Sequence, residues 1–388
     1  MMVRWVPGPR PVLEALTPLP VIGTVANLVS RSGHQAQIFM RLLSTIAALS
    51  TLLPATLCAA QEPPIAPSNL SRYVERPTLS PDDLAVISAY VDREAPRLVS
   101  DAPSEAVQGR ARLIDDLTSP AGQISPIFRD EYSAILVPHL RDILIGEDTS
   151  SAVLAAQVAA MLGTDGAVKL LTKHVEARSE SRNAVRLWAV GGLANLVASP
   201  NVSKTRAIRA MRTVELAARD EVSWPVHRRA ILTLAAGLGN QRGQHGDQEA
   251  VRTAALELLG KATRNSLTAI TEGRTELVNG LPVVTEAIQN MLLLTGGPDE
   301  QAQLLEVMVP VLAGGHDAIL ASWDKIRSDP RTLDAAARYL DESELLLATL
   351  TQTPSQGPQL SEALRSGKRS DLESASKRWS RYRNQPTS

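Results

Sequence analysis

Apolar residues recur through the middle of the chain in one short pattern. It starts at Val153, Val185, Val226, Val251 and Val283. Each start is followed by apolar residues five and eight positions on: Val158 and Met161, Val190 and Leu193, Ile231 and Leu234, Leu256 and Leu259, Ile288 and Met291. Four copies put alanine at the fourth offset (Ala189, Ala230, Ala255, Ala287), and the first has Gln157 there. Offsets of four, five and eight fall on one side of an α-helix, so the pattern predicts five amphipathic helices of one design. Partner segments are expected at Gly166–Glu176, Lys204–Arg219, Asn265–Val278 and, beyond the last copy, Asp299–Leu312. The valines are 32, 41, 25 and 32 residues apart, and the two odd intervals together make twice 33. That predicts a helix pair every 32 or 33 residues, with one shifted helix or a lengthened loop near Val202 or Trp224. Such a rhythm is the mark of an α-solenoid.

Helices are also predicted on either side. Ser80-Pro81-Asp82-Asp83 reads as a helix start, with Ser80 as cap, Pro81 at the first turn and both carboxylates at the positive end of the dipole. Glu105–Leu117 follows, then Pro126–Ile145 between Ser125 as cap and Gly146 as stop. Beyond Leu312, Ala318–Ser328 and Thr332–Leu350 still read as helical, with Pro330 between them. A polar break at Gln352–Pro358 precedes a basic tail, helical or partly disordered, within residues 351–388. Aromatics are only 3% of the chain, so the core must be built from Ala, Leu, Val and Ile, which favours close helices over sheets. The predicted class is all-α: a right-handed superhelix of antiparallel helix pairs over residues 81–350, clearest at 150–292.

The N-terminal sixty residues read as export rather than fold. Met40-Arg41 is followed by the uncharged run Leu42–Leu53, then Pro54 and small residues ending Cys58-Ala59-Ala60. This matches a signal peptide at 40–60, cut before Gln61. Residues 1–39 read as an upstream extension, which makes Met40 the expected start. An uncleaved anchor is the alternative, since residues 42–60 are long enough to cross a bilayer. Lipidation of Cys58 fits less well, because the preceding residue is the bulky Leu57. Residues 61–80, with Pro63, Pro64, Pro67 and Pro77, read as an extended linker. Cys58 is the single cysteine, so a mature chain has no disulfide, thiolate metal site or cysteine nucleophile. The expected location is periplasmic or extracellular.

Two of the pattern helices carry a further resemblance. Val185-Arg186-Leu187-Trp188-Ala189-Val190-Gly191-Gly192-Leu193 and Val251-Arg252-Thr253-Ala254-Ala255-Leu256-Glu257-Leu258-Leu259-Gly260 resemble the second helix of short HEAT-like repeats, where Val-Arg is followed by Ala, Ala, Leu and Gly. The other copies depart from it, reading Val153-Leu154, Val226-His227 and Val283-Val284. The resemblance implies a stacked-helix architecture and a long surface suited to binding, and says little about chemistry. Some HEAT-like proteins are lyases acting on large prosthetic groups, so an enzyme is the rival reading. A structural envelope protein without a defined ligand is a third. Tetratricopeptide repeats would want aromatics that these helices lack.

Charge adds one candidate surface. The chain is nearly neutral, with formal net charge -1, yet Arg182–Arg274 holds 14 Lys and Arg against 7 Asp and Glu. Arg206, Arg209 and Arg212 fall on one side of their predicted helix, and Arg228, Arg229 and Arg252 from neighbouring units could extend them into a groove for an anionic protein or envelope polymer. The competing reading is a solvated face whose arginines pair with Glu215, Asp220 and Glu257. Basic residues from Arg365 to Arg383 surround Trp379 and Tyr382, a pattern that can hold phosphate and stack bases. Export makes a nucleic-acid partner unexpected, and a membrane enters only through an uncleaved signal segment. His245 and Asp247 are too few for a metal site. No cofactor, metal or catalytic motif is expected. The expected function is non-catalytic binding or scaffolding.

Overall fold

The computed structural model describes residues 67–118, 124–239, 245–294, 298–354 and 359–383. The expected extension, the signal segment and the first part of the linker lie outside them. The described chain is helical, with no strand among the described residues. Its helices are α1 (Ser71–Val74), α2 (Pro81–Glu94), α3 (Pro103–Thr118), α4 (Pro126–Ile145), α5 (Thr149–Leu162), α6 (Asp165–Thr172), α7 (Asn183–Ala198) and α8 (Lys204–Asp220). There follow α9 (Trp224–Ala236), α10 (His245–Thr271), α11 (Leu281–Leu294), α12 (Pro298–Ala321), α13 (Trp323–Ser328), α14 (Pro330–Leu350), α15 (Gln359–Ser366) and α16 (Arg369–Ser376).

Local chemistry sets many of the boundaries. Ser80 and Asp83 close a reciprocal capping box, each accepting the other's backbone N–H, at 3.2 and 3.0 Å. Asp148 accepts the N–H of Ser151 at 2.7 Å to start α5, and Gly163, in the left-handed region, ends it. Ser125 was the expected cap of α4, but its side chain makes no capping bond. The chain also orders earlier than Ser80. Leu70, Tyr73 and Val74 are buried, and Asp116 accepts the Leu70 N–H at 2.9 Å, so the end of the expected linker belongs to the core.

The helices pack in two rows. In the first, α5 lies on α7, α7 on α9, α9 on α11 and α11 on α14. In the second, α4 lies on α6, α6 on α8, α8 on α10 and α10 on α12. Hydrogen bonds register the two ends. At one end Arg182 reaches the carbonyls of Leu144 and Gly146, both at 2.7 Å, and Ser322 reaches that of Ile270 at 2.7 Å. At the other, Ser203 donates twice to Asp165.

This arrangement corrects the reading of the rhythm. The copies at Val153, Val185, Val226 and Val283 begin on α5, α7, α9 and α11, all in the first row, but the copy at Val251 lies on α10, in the second. Nothing is shifted: α9 and α10 are consecutive helices that happen to share a pattern. The first-row spacing therefore lengthens, from 32 to 41 to 57 residues (226 to 283). Asn265–Val278 is not a separate partner helix either, because α10 runs on to Thr271 and a 3₁₀ segment, Thr275–Gly280, follows. α12 covers Asp299–Leu312 and continues to Ala321. It is long and apolar enough to cross a membrane, and about half of that stretch (56%) is buried inside the fold.

Close packing between rows depends on small residues. A Cβ on Gly192 would stand 2.8 Å from both Ala160 Cβ and Leu171 Cδ1, so α5, α6 and α7 meet where only hydrogen fits. Gly192→Leu is expected to lower unfolding free energy by about 2–3 kcal/mol through overpacking, read as a lower urea midpoint. The large buried aromatics gather near the two ends of the rows: Tyr90, Phe128 and Tyr132 at one, Tyr339 and Trp379 at the other.

Candidate functional site

The structure does not bring the six expected arginines into one groove. Arg206, Arg209 and Arg212 project from α8 in the second row; Arg228 and Arg229 stand on α9 in the first. Arg252, on α10, is already occupied. Its guanidinium holds Glu300 at 2.9 Å with the side chain only 13% exposed. Arg229 lays its stem along α7, with Cδ 3.6 Å from where a Gly191 Cβ would be. Burial lowers the Arg228 pKa, neighbouring Arg229 adds to that, and Glu286 opposes it.

Much of the arginine excess holds the fold together instead. Arg129 donates to the carbonyl of Leu162 at 2.8 Å, Arg182 to those of Leu144 and Gly146, and Arg274 to that of Glu221, so cations sit at the negative ends of α5, α4 and α8. Arg186 is 2% exposed and bonds both oxygens of Glu221 at 3.0 and 3.1 Å. Burial acts to raise the Glu180 pKa, but hydrogen bonds from Arg182 and His174 prevail and bring it down to about 2.

What remains is a different cluster. Lys169 and Lys173 on and just after α6, Arg209 and Arg212 on α8, and Arg264 on α10 are exposed, and Arg206 is half-buried. None of these six makes a side-chain hydrogen bond or ion pair among the described residues. On α8 the exposed positions Thr205, Arg209, Arg212 and Leu216 follow the three-and-four spacing of one helix stripe. The matching stripe of α10 runs Glu257, Lys261, Arg264 and Thr268. Helices α6, α8 and α10 are neighbours in the second row, so these stripes form one outward face. Its acids are mostly used elsewhere. Glu215 sits between α8 and α10, held by Lys261 at 3.0 Å, and Asp220 faces Arg219 and Arg178 at 3.7 Å each. Arg219 at the end of α8 is thus paired, whereas Arg206, Arg209 and Arg212 have no acidic partner among the described residues. Neither α6, α8 nor α10 contains an aromatic residue.

Other candidate chemistry is consumed by packing. His227 Nε2 lies 3.0 Å from Ser266 Oγ and His316 Nε2 lies 3.0 Å from Ser343 Oγ, four groups that are all buried. Each hydroxyl donates its one proton to a carbonyl of its own helix, Ala262 at 2.8 Å and Leu340 at 3.2 Å. A serine whose proton is held by that carbonyl accepts from the imidazole, and a ring donating at that nitrogen does not act as its base. Two hollows are lined by acids. An open cleft of about 550 Å³ between α15 and α16 meets Glu362, Asp371 and Ser374, and a cavity of about 70 Å³ meets Arg252, Asp299 and Glu300. Neither is lined by a His or Tyr. Asp247, one of the two weighed metal ligands, is bound to Lys204 at 2.6 Å, and the His245 side chain lies outside the described residues.

The basic residues of the tail that the structure describes, within 359–383, belong to a folded segment. Trp379 is 1% exposed, Arg378 stacks over it at 4.8 Å, Arg383 meets Asp317 at 2.5 Å, and buried Glu344 accepts the Leu360 N–H at 3.1 Å. Compared with known proteins, the chain matches no family model and no curated sequence.

Proposed function

We propose that this chain is an exported, non-catalytic scaffold, a right-handed α-solenoid of HEAT-like helix pairs, that binds an anionic partner through the outward face of α6, α8 and α10. One observation carries the reading: Lys169, Lys173, Arg206, Arg209, Arg212 and Arg264 share that face without acidic partners among the described residues, in a nearly neutral protein. Two-row packing supports the solenoid, because each helix meets its neighbours in the row and exposes one remaining side. The apolar run Leu42–Leu53 and the small residues after it support export.

At pH 8 the protein is near or below neutrality, with a sequence pI of about 6.6, yet it should be retained on a sulfonate surface at low salt. Reversing Arg209→Glu with Arg212→Glu should abolish retention. The same reversal of Arg228 and Arg229, on the other row, should leave most of it. Equal elution of the two variants would sink the assignment of the face. For cleavage of the signal segment, N-terminal sequencing of the native protein is expected to begin at Gln61, and a start at or before Met40 would show that the segment is retained.

A further inference from the structure

We infer that the partner of the α6–α8–α10 face is a single-stranded, extended polyanion held by charge alone. This rests on the reading above and narrows it from any anionic partner to one chemical class. None of the six cations lines either of the two hollows among the described residues, the cleft of α15 and α16 and the small cavity by Arg252. A small anion would need cations that converge on a hollow. A folded protein partner would find few anchors, since interface energy concentrates in buried aromatic and aliphatic side chains. The three helices carry no aromatic, and Leu216 is their one exposed large hydrophobic residue among the described residues. The same lack argues against a membrane, which rewards an apolar face, and against base stacking.

The spacing of charge suits a chain. Arg206, Arg209 and Arg212 climb α8 in steps of about 4.5 Å, while α6 and α10 add cations at roughly the 8–10 Å separation of packed helices. Flexible, solvated side chains at such intervals can each meet one charge of a linear polymer, and the energy comes from released counterions.

Long-chain inorganic polyphosphate is the probe. It should bind the whole protein with an affinity that falls steeply with sodium chloride, with a log–log slope of about -4 for six contacts. Arg209→Ala with Arg212→Ala should flatten the slope to about -3 and weaken binding about tenfold at low salt. Tripolyphosphate at equal phosphate should bind at least a hundredfold more weakly. Equal affinity for the short and long forms would overturn the inference, as would binding to phosphatidylglycerol–phosphatidylcholine vesicles without binding to the polymer. If polyphosphate fails while Arg209→Glu/Arg212→Glu still abolishes retention on the sulfonate surface, the cationic face stands and the polymer falls. If neither assay responds to these arginines, both readings fall.

Discussion

Lowering the pH from 7 to 5 should cost the protein up to about 4 kcal/mol of unfolding free energy through two histidines, and replacing both by glutamine should remove that part of the slope. His227 and His316 are 3% and 0% exposed. Burial pushes their pKa down from 6.5, to about 4 and about 3, and nearby Arg274 and Arg383 push the same way. The folded state therefore keeps both rings neutral where the unfolded chain protonates them. Their contribution is whole above pH 6.5, shrinks below it, and is gone once the pH has fallen through the folded values. Each ring can contribute about 1.4 kcal/mol per pH unit in that window. Burial raises the pKa of Asp116, Asp317 and Glu344, which acts in the opposite direction and softens the total. The informative quantity is thus the difference between wild type and His227→Gln/His316→Gln in urea midpoints at pH 7 and pH 5. Parallel changes in the two proteins would refute the assignment.

The helices were legible in the sequence wherever periodicity and capping agreed. Pro126–Ile145 forms over the expected span, and Ser80 caps α2 through the partner three residues on. The assignment of Val251 to the same row as its look-alikes failed because periodicity reports only that a helix has one apolar side. It cannot report which neighbours that side meets. Charge counting failed in a related way. It gave the excess within Arg182–Arg274, but not that Arg182, Arg186, Arg252 and Arg274 point inward or along helix ends. Those contacts join residues 35 to 53 positions apart. Lys169, Lys173 and Arg264 were missed because each lies on a different element from Arg209, and only lateral packing of α6, α8 and α10 makes them neighbours. One signal for Arg252 was available. It occupies the same place in its helix as Arg186, the position after the pattern valine.

That position makes the last and largest mutational prediction. In α7, Arg186 reaches forward to Glu221, just before α9; in α10, Arg252 reaches forward to Glu300 in α12. The third copy puts His227 there and reaches Ser266 of α10. A polar residue after the pattern valine thus ties one element to another, and the first and fifth copies, with Leu154 and Val284, do so by apolar contact or not at all. Arg186 is the extreme case. Besides Glu221 it donates to the carbonyl of Glu180 at 2.8 Å and to Asn183 at 2.6 Å. Arg186→Met should lower stability by about 3–5 kcal/mol, because the Glu221 carboxylate, 2% exposed, would lose its cation with no water to replace it. The double change Arg186→Met/Glu221→Leu should recover most of the loss, since a matched apolar pair removes the buried charge as well. Arg252→Met should cost about 1 kcal/mol, because the Glu300 side chain is 27% exposed and can be rehydrated. A loss under 1 kcal/mol for Arg186→Met would show that the pair is dispensable. The refolded double variant should still be retained on the sulfonate surface: the arginines that build the rows and the arginines proposed to bind are different residues, and only the second set should govern binding.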